Sequence, residues 1–220
     1  MRNRLHLIVM CVILFTVALL PVAASSGAKS SLRDKCVLLL PTQEYYDSRD
    51  VVVLVKRVVP ALYVDTFLLY TETEDPYMTD VFRIYLLSLG QHESGWKKIV
   101  SDRKNDNGTV DLGYLMLNEL NLKNPEFMAL FGPKSTDGHV VIDNIDLYLI
   151  TCINYFKYLY SRFNCDALYA YNAGESKYVT DRIPTSTYSY KYKIKQINED
   201  FICELYRIHQ EIEEAKRTII

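Results

Sequence analysis

The sequence contains no Cys-x-x-Cys pair and no His-x-x-x-His spacing, the arrangements through which short motifs hold zinc, so no metal site of that kind is expected. It has no excess of one charge either: 25 Lys and Arg stand against 27 Asp and Glu, a formal net charge of −2. That balance excludes a nucleic-acid binder that depends on a general basic surface. No internal repeat recurs and no low-complexity linker divides the chain, which points to one folded domain. Tryptophan is nearly absent, with one residue against 18 Tyr and 8 Phe. What is present is a composition of 49% hydrophobic and 24% charged residues over 220 positions, enough to bury a core. Tyrosines in such number serve as half-buried helix faces, and their flat amphipathic rings also stack well on sugars.

The first residues read as an address. Arg2 and Arg4 precede an uncharged apolar run, Leu7 to Leu20, and small residues follow at Val22-Ala23-Ala24-Ser25. The run is short for a spanning helix, so residues 1–24 are expected to be an export signal cut after Ala24, delivering the chain to the periplasm or cell envelope. Cys11 has no small residue before it of the kind a lipoprotein signal carries. Four cysteines then remain, Cys36, Cys152, Cys165 and Cys203, which allow three disulfide pairings. Cys152 also falls on an apolar helix stripe, where a buried free thiol is an equal reading.

Hydrophobic periodicity predicts a mostly α fold. Ile142, Ile145, Leu149, Cys152, Phe156, Leu159 and Phe163 recur at three- and four-residue spacing, as do Ile194, Ile197, Phe201, Leu205, Ile208, Ile212 and Ala215. Val81, Ile84, Tyr85, Ser88, Leu89 and His92 line one face of a further helix, and the stretch from Val51 to Leu69, broken by Pro60, reads as helical. The predicted organisation is a helical lead segment at residues 25–75, a central domain at residues 76–197 and a C-terminal helix at residues 198–220.

Chemistry concentrates at Gln91-His92-Glu93-Ser94-Gly95-Trp96. Gly95 is a natural helix stop, which puts Glu93 in the last turn, one turn beyond Leu89 and two beyond Tyr85 on the buried edge. A carboxyl among apolar neighbours has its pKa raised, because burial disfavours the charged form, and can then act as a general acid. Three further segments follow in order: Asp111-Leu112-Gly113-Tyr114-Leu115-Met116-Leu117-Asn118, then Ala170-Tyr171-Asn172-Ala173-Gly174, then Ile183-Pro184-Thr185-Ser186-Thr187 with Tyr190. In this order and at these separations they resemble the soluble lytic transglycosylase catalytic domain of the lysozyme superfamily, over roughly residues 78–197. That family runs Glu-Ser, a Gly-Leu-Met-Gln-Ile-like segment, Ala-Tyr-Asn-Ala-Gly, and an Ile-Pro segment with Glu-Thr and a Tyr.

The resemblance implies a lysozyme-like α (α+β) domain with a glycan-binding cleft, with peptidoglycan strands as partner and no cofactor. It implies Glu93 as the catalytic acid and Ser94 as the residue positioning substrate or acid. Tyr171 and Asn172 would lie near the acid and the N-acetyl sugar, Tyr190 would close on the glutamate, and Gly113 would allow close packing beneath the cleft. Tyr171 and Tyr190 also read as core aromatics, and Asn172-Ala173-Gly174 as a helix end. Met116 stands where the family has Gln and Ser186 where it has Glu, while Thr187 is kept. Asp111 resembles the acidic residue of c-type lysozymes; it either assists the chemistry as a second carboxylate or accepts hydrogen bonds from the turn at Asn107-Gly108.

The activity implied is cleavage of the MurNAc–GlcNAc β-1,4 bond with formation of 1,6-anhydro-MurNAc. A lysozyme-type reading puts water in place of the internal acceptor, with Asp111 assisting. A third reading, a weakly active or inactive peptidoglycan-binding module, rests on Met116 and Ser186.

Overall fold

The computed structural model describes residues 46–97, 100–101, 104–105, 108–133 and 145–218, all within one compact unit of the chain. The expected export signal, Cys36, the loop around Pro133 to Gly138 beyond its first residue, and the start of the helix at Asp143-Asn144 lie outside the described residues. The fold is mostly helical. Its elements are α1 (Ser48–Val58), a 3₁₀ turn (Ala61–Tyr63), α2 (Val64–Thr71), α3 (Pro76–Ser94), β1 (Asp111–Leu112), β2 (Leu117–Asn118), α4 (Glu119–Lys123), α5 (Pro125–Phe131), α6 (Ile145–Phe163), a second 3₁₀ turn (Asn164–Asp166), α7 (Ala167–Ala173), α8 (Glu175–Val179) and α9 (Thr185–Thr218).

Helix α3 is the axis of the molecule, and its ends are written in the sequence. Asp75 caps its start by accepting from the Tyr77 amide at 2.9 Å, and Pro76 occupies the first turn, where a missing N–H costs nothing. Gly95 ends it in the left-handed conformation (φ 61°), its amide returning to Gln91 O at 3.1 Å while Trp96 N reaches Gly90 O at 3.3 Å. Periodicity predicts one buried face for this helix, but every residue from Thr79 to Gly90 is buried. Phe82, Leu86 and Leu87 fill what the pattern leaves as the outer side, so no face of this stretch is left to solvent, and it packs among α1, α2 and α9.

The one tryptophan locks the far end. Its ring lies against Gly90, where an added Cβ would come within 2.5 Å of the ring, and its Nε1 donates to Leu87 O at 2.9 Å. Phe67 of α2 meets the same ring edge-on at 5.6 Å between centroids. Of the polar groups buried on α3, Arg83 and Ser88 are partnered across helices, while Asp80 accepts from Ser48 Oγ at 2.7 Å through one oxygen and its other oxygen has no hydrogen-bond partner among the described residues. Arg83 donates to Thr71 Oγ1 at 3.1 Å and to Leu68 O at 3.0 Å, and Ser88 donates to Asn198 Oδ1 on α9.

Val51, Leu54 and Phe67 share one hydrophobic cluster with α3, α6 and α9, so the predicted boundary at residue 75 does not separate two cores. The predicted boundary at residue 197 falls inside α9, which is unbroken from Thr185 to Thr218. Ile194, Leu205 and Ile208 of its predicted stripe are buried and Ile197, Phe201 and Ile212 half-buried; Ala215 is exposed, because the last turns extend beyond the packed body. Cys152 on α6 is a buried free thiol, raised to about 12 by burial, and Cys203 on α9 is an exposed free thiol. These two therefore do not pair with each other.

Because Phe67 is fully buried and joins α2 to the helix end that carries Glu93, Phe67→Ala should lower stability by about 3–5 kcal/mol. Urea unfolding followed by the fluorescence of Trp96 and by far-ultraviolet dichroism should show one coincident transition at lower urea. Two separated transitions would mean that α2 is not part of this core.

Candidate active site

Glu93 occupies the last turn of α3, where the sequence places it. Its carboxyl is raised from 4.5 to about 7, first by burial, with the Asp111 charge adding to the rise and the Tyr190 hydroxyl opposing it. Its position at the negative end of a long helix works in the same direction. Tyr190, buried on α9, donates its hydroxyl hydrogen bond to Glu93 Oε1. Burial pushes the Tyr190 and Tyr171 hydroxyls well above their usual range, and the Glu93 charge adds to both. Glu93 is thus faced by Tyr190 from α9, Tyr171 from α7 and Asp111 from β1.

The short hairpin β1–β2, with Asp111 opposite Asn118 and Leu112 opposite Leu117, forms the wall beside the acid. Three hydroxyls from three helices grip its backbone. Ser94 of α3 donates to Tyr114 O at 2.7 Å, Tyr171 of α7 donates to Leu115 O at 2.7 Å, and Tyr148 of α6 donates to Leu112 O while accepting from Leu117 N at 3.1 Å. Gly113 makes this grip possible: its φ is 74°, and a Cβ there would lie 2.5 Å from the Tyr148 ring. The close approach expected of Gly113 is therefore present, with Tyr148 as the group that approaches.

Ser94 and Tyr171 are thereby committed to hairpin carbonyls, so their hydroxyls place the wall relative to Glu93. Asn172 is exposed, and its Oδ1 accepts from the buried Thr187 Oγ1 at 2.8 Å. Asp111 Oδ1 accepts from Asn118 Nδ2 at 2.9 Å and Asn105 Nδ2 at 3.1 Å, while Asn107 of the turn named as its other partner lies outside the described residues. Met116 adopts φ 50°, an uncommon conformation for a side-chain-bearing residue, at the tip of the hairpin turn, and Ser186 is exposed in the first turn of α9.

Two contributors escape the sequence reading. Tyr148 lies beside Leu149 on the α6 stripe, but nothing local signals that its hydroxyl serves a carbonyl 36 positions earlier. His92, read as part of the apolar face of α3, packs across the Tyr190 ring at 4.9 Å between centroids. Among the described residues no group of three or more His, Cys, Asp or Glu could hold a metal ion, and no helix is long and apolar enough to cross a membrane. Searches of protein-family models, curated proteins and solved structures return no match to this chain.

The raised carboxyl ties stability to pH. The folded state holds the Glu93 proton more tightly than the unfolded chain, so the stabilisation is complete below about 4.5 and is lost as pH rises through about 7. The full difference is on the order of 3 kcal/mol. Glu93→Gln should match the parent near pH 4.5 and exceed it by about 2–3 kcal/mol at pH 8, measured by urea unfolding at each pH. Parallel stability profiles for the two proteins would show that the carboxyl is not held protonated.

Proposed function

We propose that this chain is a peptidoglycan lytic transglycosylase with a lysozyme-like fold, acting in the periplasm or cell envelope. The observation that carries this reading is the Glu93 carboxyl, raised to about 7 and hydrogen-bonded by Tyr190, at the helix end where the resemblance puts the acid. Near neutral pH such a group exists in both protonation states, which suits a residue that must first give and then take a proton. The glycan lies against the hairpin wall with a MurNAc–GlcNAc bond at Glu93. Glu93 protonates the leaving glycosidic oxygen as the bond to C1 breaks, and the substrate's acetamido carbonyl stabilises the positive charge at C1. The Glu93 carboxylate then removes the proton from the MurNAc 6-hydroxyl, whose oxygen closes on C1. The acid is regenerated, and the product carries a 1,6-anhydro ring formed without water. Asn172, its oxygen held by Thr187, is suited to donate to an acetamido carbonyl.

The electrostatic reach of Asp111 to Glu93 favours a second reading, in which Asp111 steadies the cation while water is the acceptor. Digestion of purified peptidoglycan followed by mass spectrometry separates the two. The proposed reaction yields muropeptides one water lighter than hydrolysis products, whereas a digest of purely reducing ends assigns the lysozyme-type reaction. Glu93→Gln should fall in turnover by about 10²–10⁴-fold with the fold intact, and activity of the parent should decline as pH rises through about 7. Parent protein that sediments with sacculi and releases nothing would identify a binding module instead.

A further inference from the structure

The Tyr190–Glu93 hydrogen bond needs more than the two residues that make it. Tyr190 projects from α9 and Glu93 from the last turn of α3, so their meeting depends on the χ1 angle of Tyr190. The hydroxyl lies on the axis of the ring, and a ring flip leaves it in place, whereas a swing about χ1 carries it off the carboxyl. His92, the residue before Glu93, sets its imidazole against the Tyr190 ring at 81° between planes with 4.9 Å between centroids, an edge-to-face arrangement. The imidazole is half-buried, makes no hydrogen bond to the described residues, and packs its ring on that of Tyr190. On α9 it also faces Lys193, and burial first, then Lys193, lowers its pKa and favours the neutral ring.

We infer that His92 is a positioning residue, whose imidazole holds the Tyr190 ring in the rotamer that delivers its hydroxyl to Glu93. It acts through Tyr190 and has no assigned contact with substrate. The inference concerns the free protein and stands whether or not the chain cleaves glycan.

The test is the titration midpoint of Glu93, followed by carboxyl ¹³C chemical shift in protein labelled at glutamate side chains, with Glu93→Gln identifying the resonance. Tyr190→Phe removes the bond that opposes the rise, so the midpoint should move upward by about 1 pH unit. His92→Ala should move it upward in the same way, and His92→Phe, which restores a ring at that place, should return it to the parent value. In the Tyr190→Phe background, His92→Ala should add nothing, because the bond it protects is already gone. His92→Leu keeps the bulk without the ring and should behave as His92→Ala, so a folding defect from lost volume does not stand in for the effect. A midpoint unchanged or lowered in both His92→Ala and His92→Leu, or a shift that persists undiminished in the Tyr190→Phe background, overturns the assignment.

Discussion

A carboxyl group just beyond the buried stretch of a helix has little water to ionise into. Helix α3 is enclosed from Thr79 to Gly90 and returns to the surface at Gln91, so Glu93 sits where the low-dielectric interior gives way to the surface. The partial negative charge of the helix end and the Asp111 carboxylate both resist a further negative charge there. Against them stands one hydrogen bond from Tyr190, which favours the ionised form. The balance leaves the pKa near neutrality, with burial the larger effect. The Gly95 cap, the Trp96 ring over Gly90 and the Phe67 contact all serve to fix this helix end.

Tyrosine does much of the positioning, for a physical reason. A ring supplies a large apolar area to bury, while the hydroxyl at its tip still reaches a polar partner. Tyr148 and Tyr171 sit on different helices, pack into the same core and end on carbonyls of one hairpin. With Ser94 they hold Leu112, Tyr114 and Leu115 by their backbones. The side chains of Tyr114 and Leu115 are themselves buried in the core, Tyr114 against the rings of Trp96 and Tyr63, so the segment is held by backbone and side chain alike. On the proposed function this rigidity fixes the distance between the acid and the wall that the sugar would meet.

Periodicity and capping made the helices legible. Gly95 ends α3, and the break at Pro60 separates α1 from α2, as the sequence suggests. The position of Glu93 in the last turn followed from the same signals, as did its apolar neighbours. What could not be read was the enclosure of α3 on every side, because an amphipathic pattern reports only which face is most apolar. The stripe from Ile194 onward already carries α9 across residue 197; what it does not show is that the helix begins at Thr185, ahead of the stripe. Roles resting on long-range contacts were out of reach for a different reason. Ser94 and Tyr171 were identifiable as residues, yet their partners are carbonyls, which carry no sequence identity. His92 matters through a ring on another helix that periodicity alone does not bring near.

The departures from the resembled family take on a meaning in this geometry. Ser186 lies exposed in the first turn of α9, and Met116 caps the hairpin turn in a left-handed conformation, half-buried. Neither makes a hydrogen bond by its side chain to Glu93 or to Tyr190, whereas the residues that set the proton, Glu93, Tyr190 and Asp111, stay in contact or electrostatic reach. Replacing an amide by a thioether at Met116 removes a donor and an acceptor from the hairpin tip, and with them the hydrogen bonds such a group would offer a sugar. The acid's environment is built from the interior outward and does not depend on either position. On the proposed function, the two changes therefore alter which glycan is held and how firmly, and leave the proton chemistry to the buried end of α3.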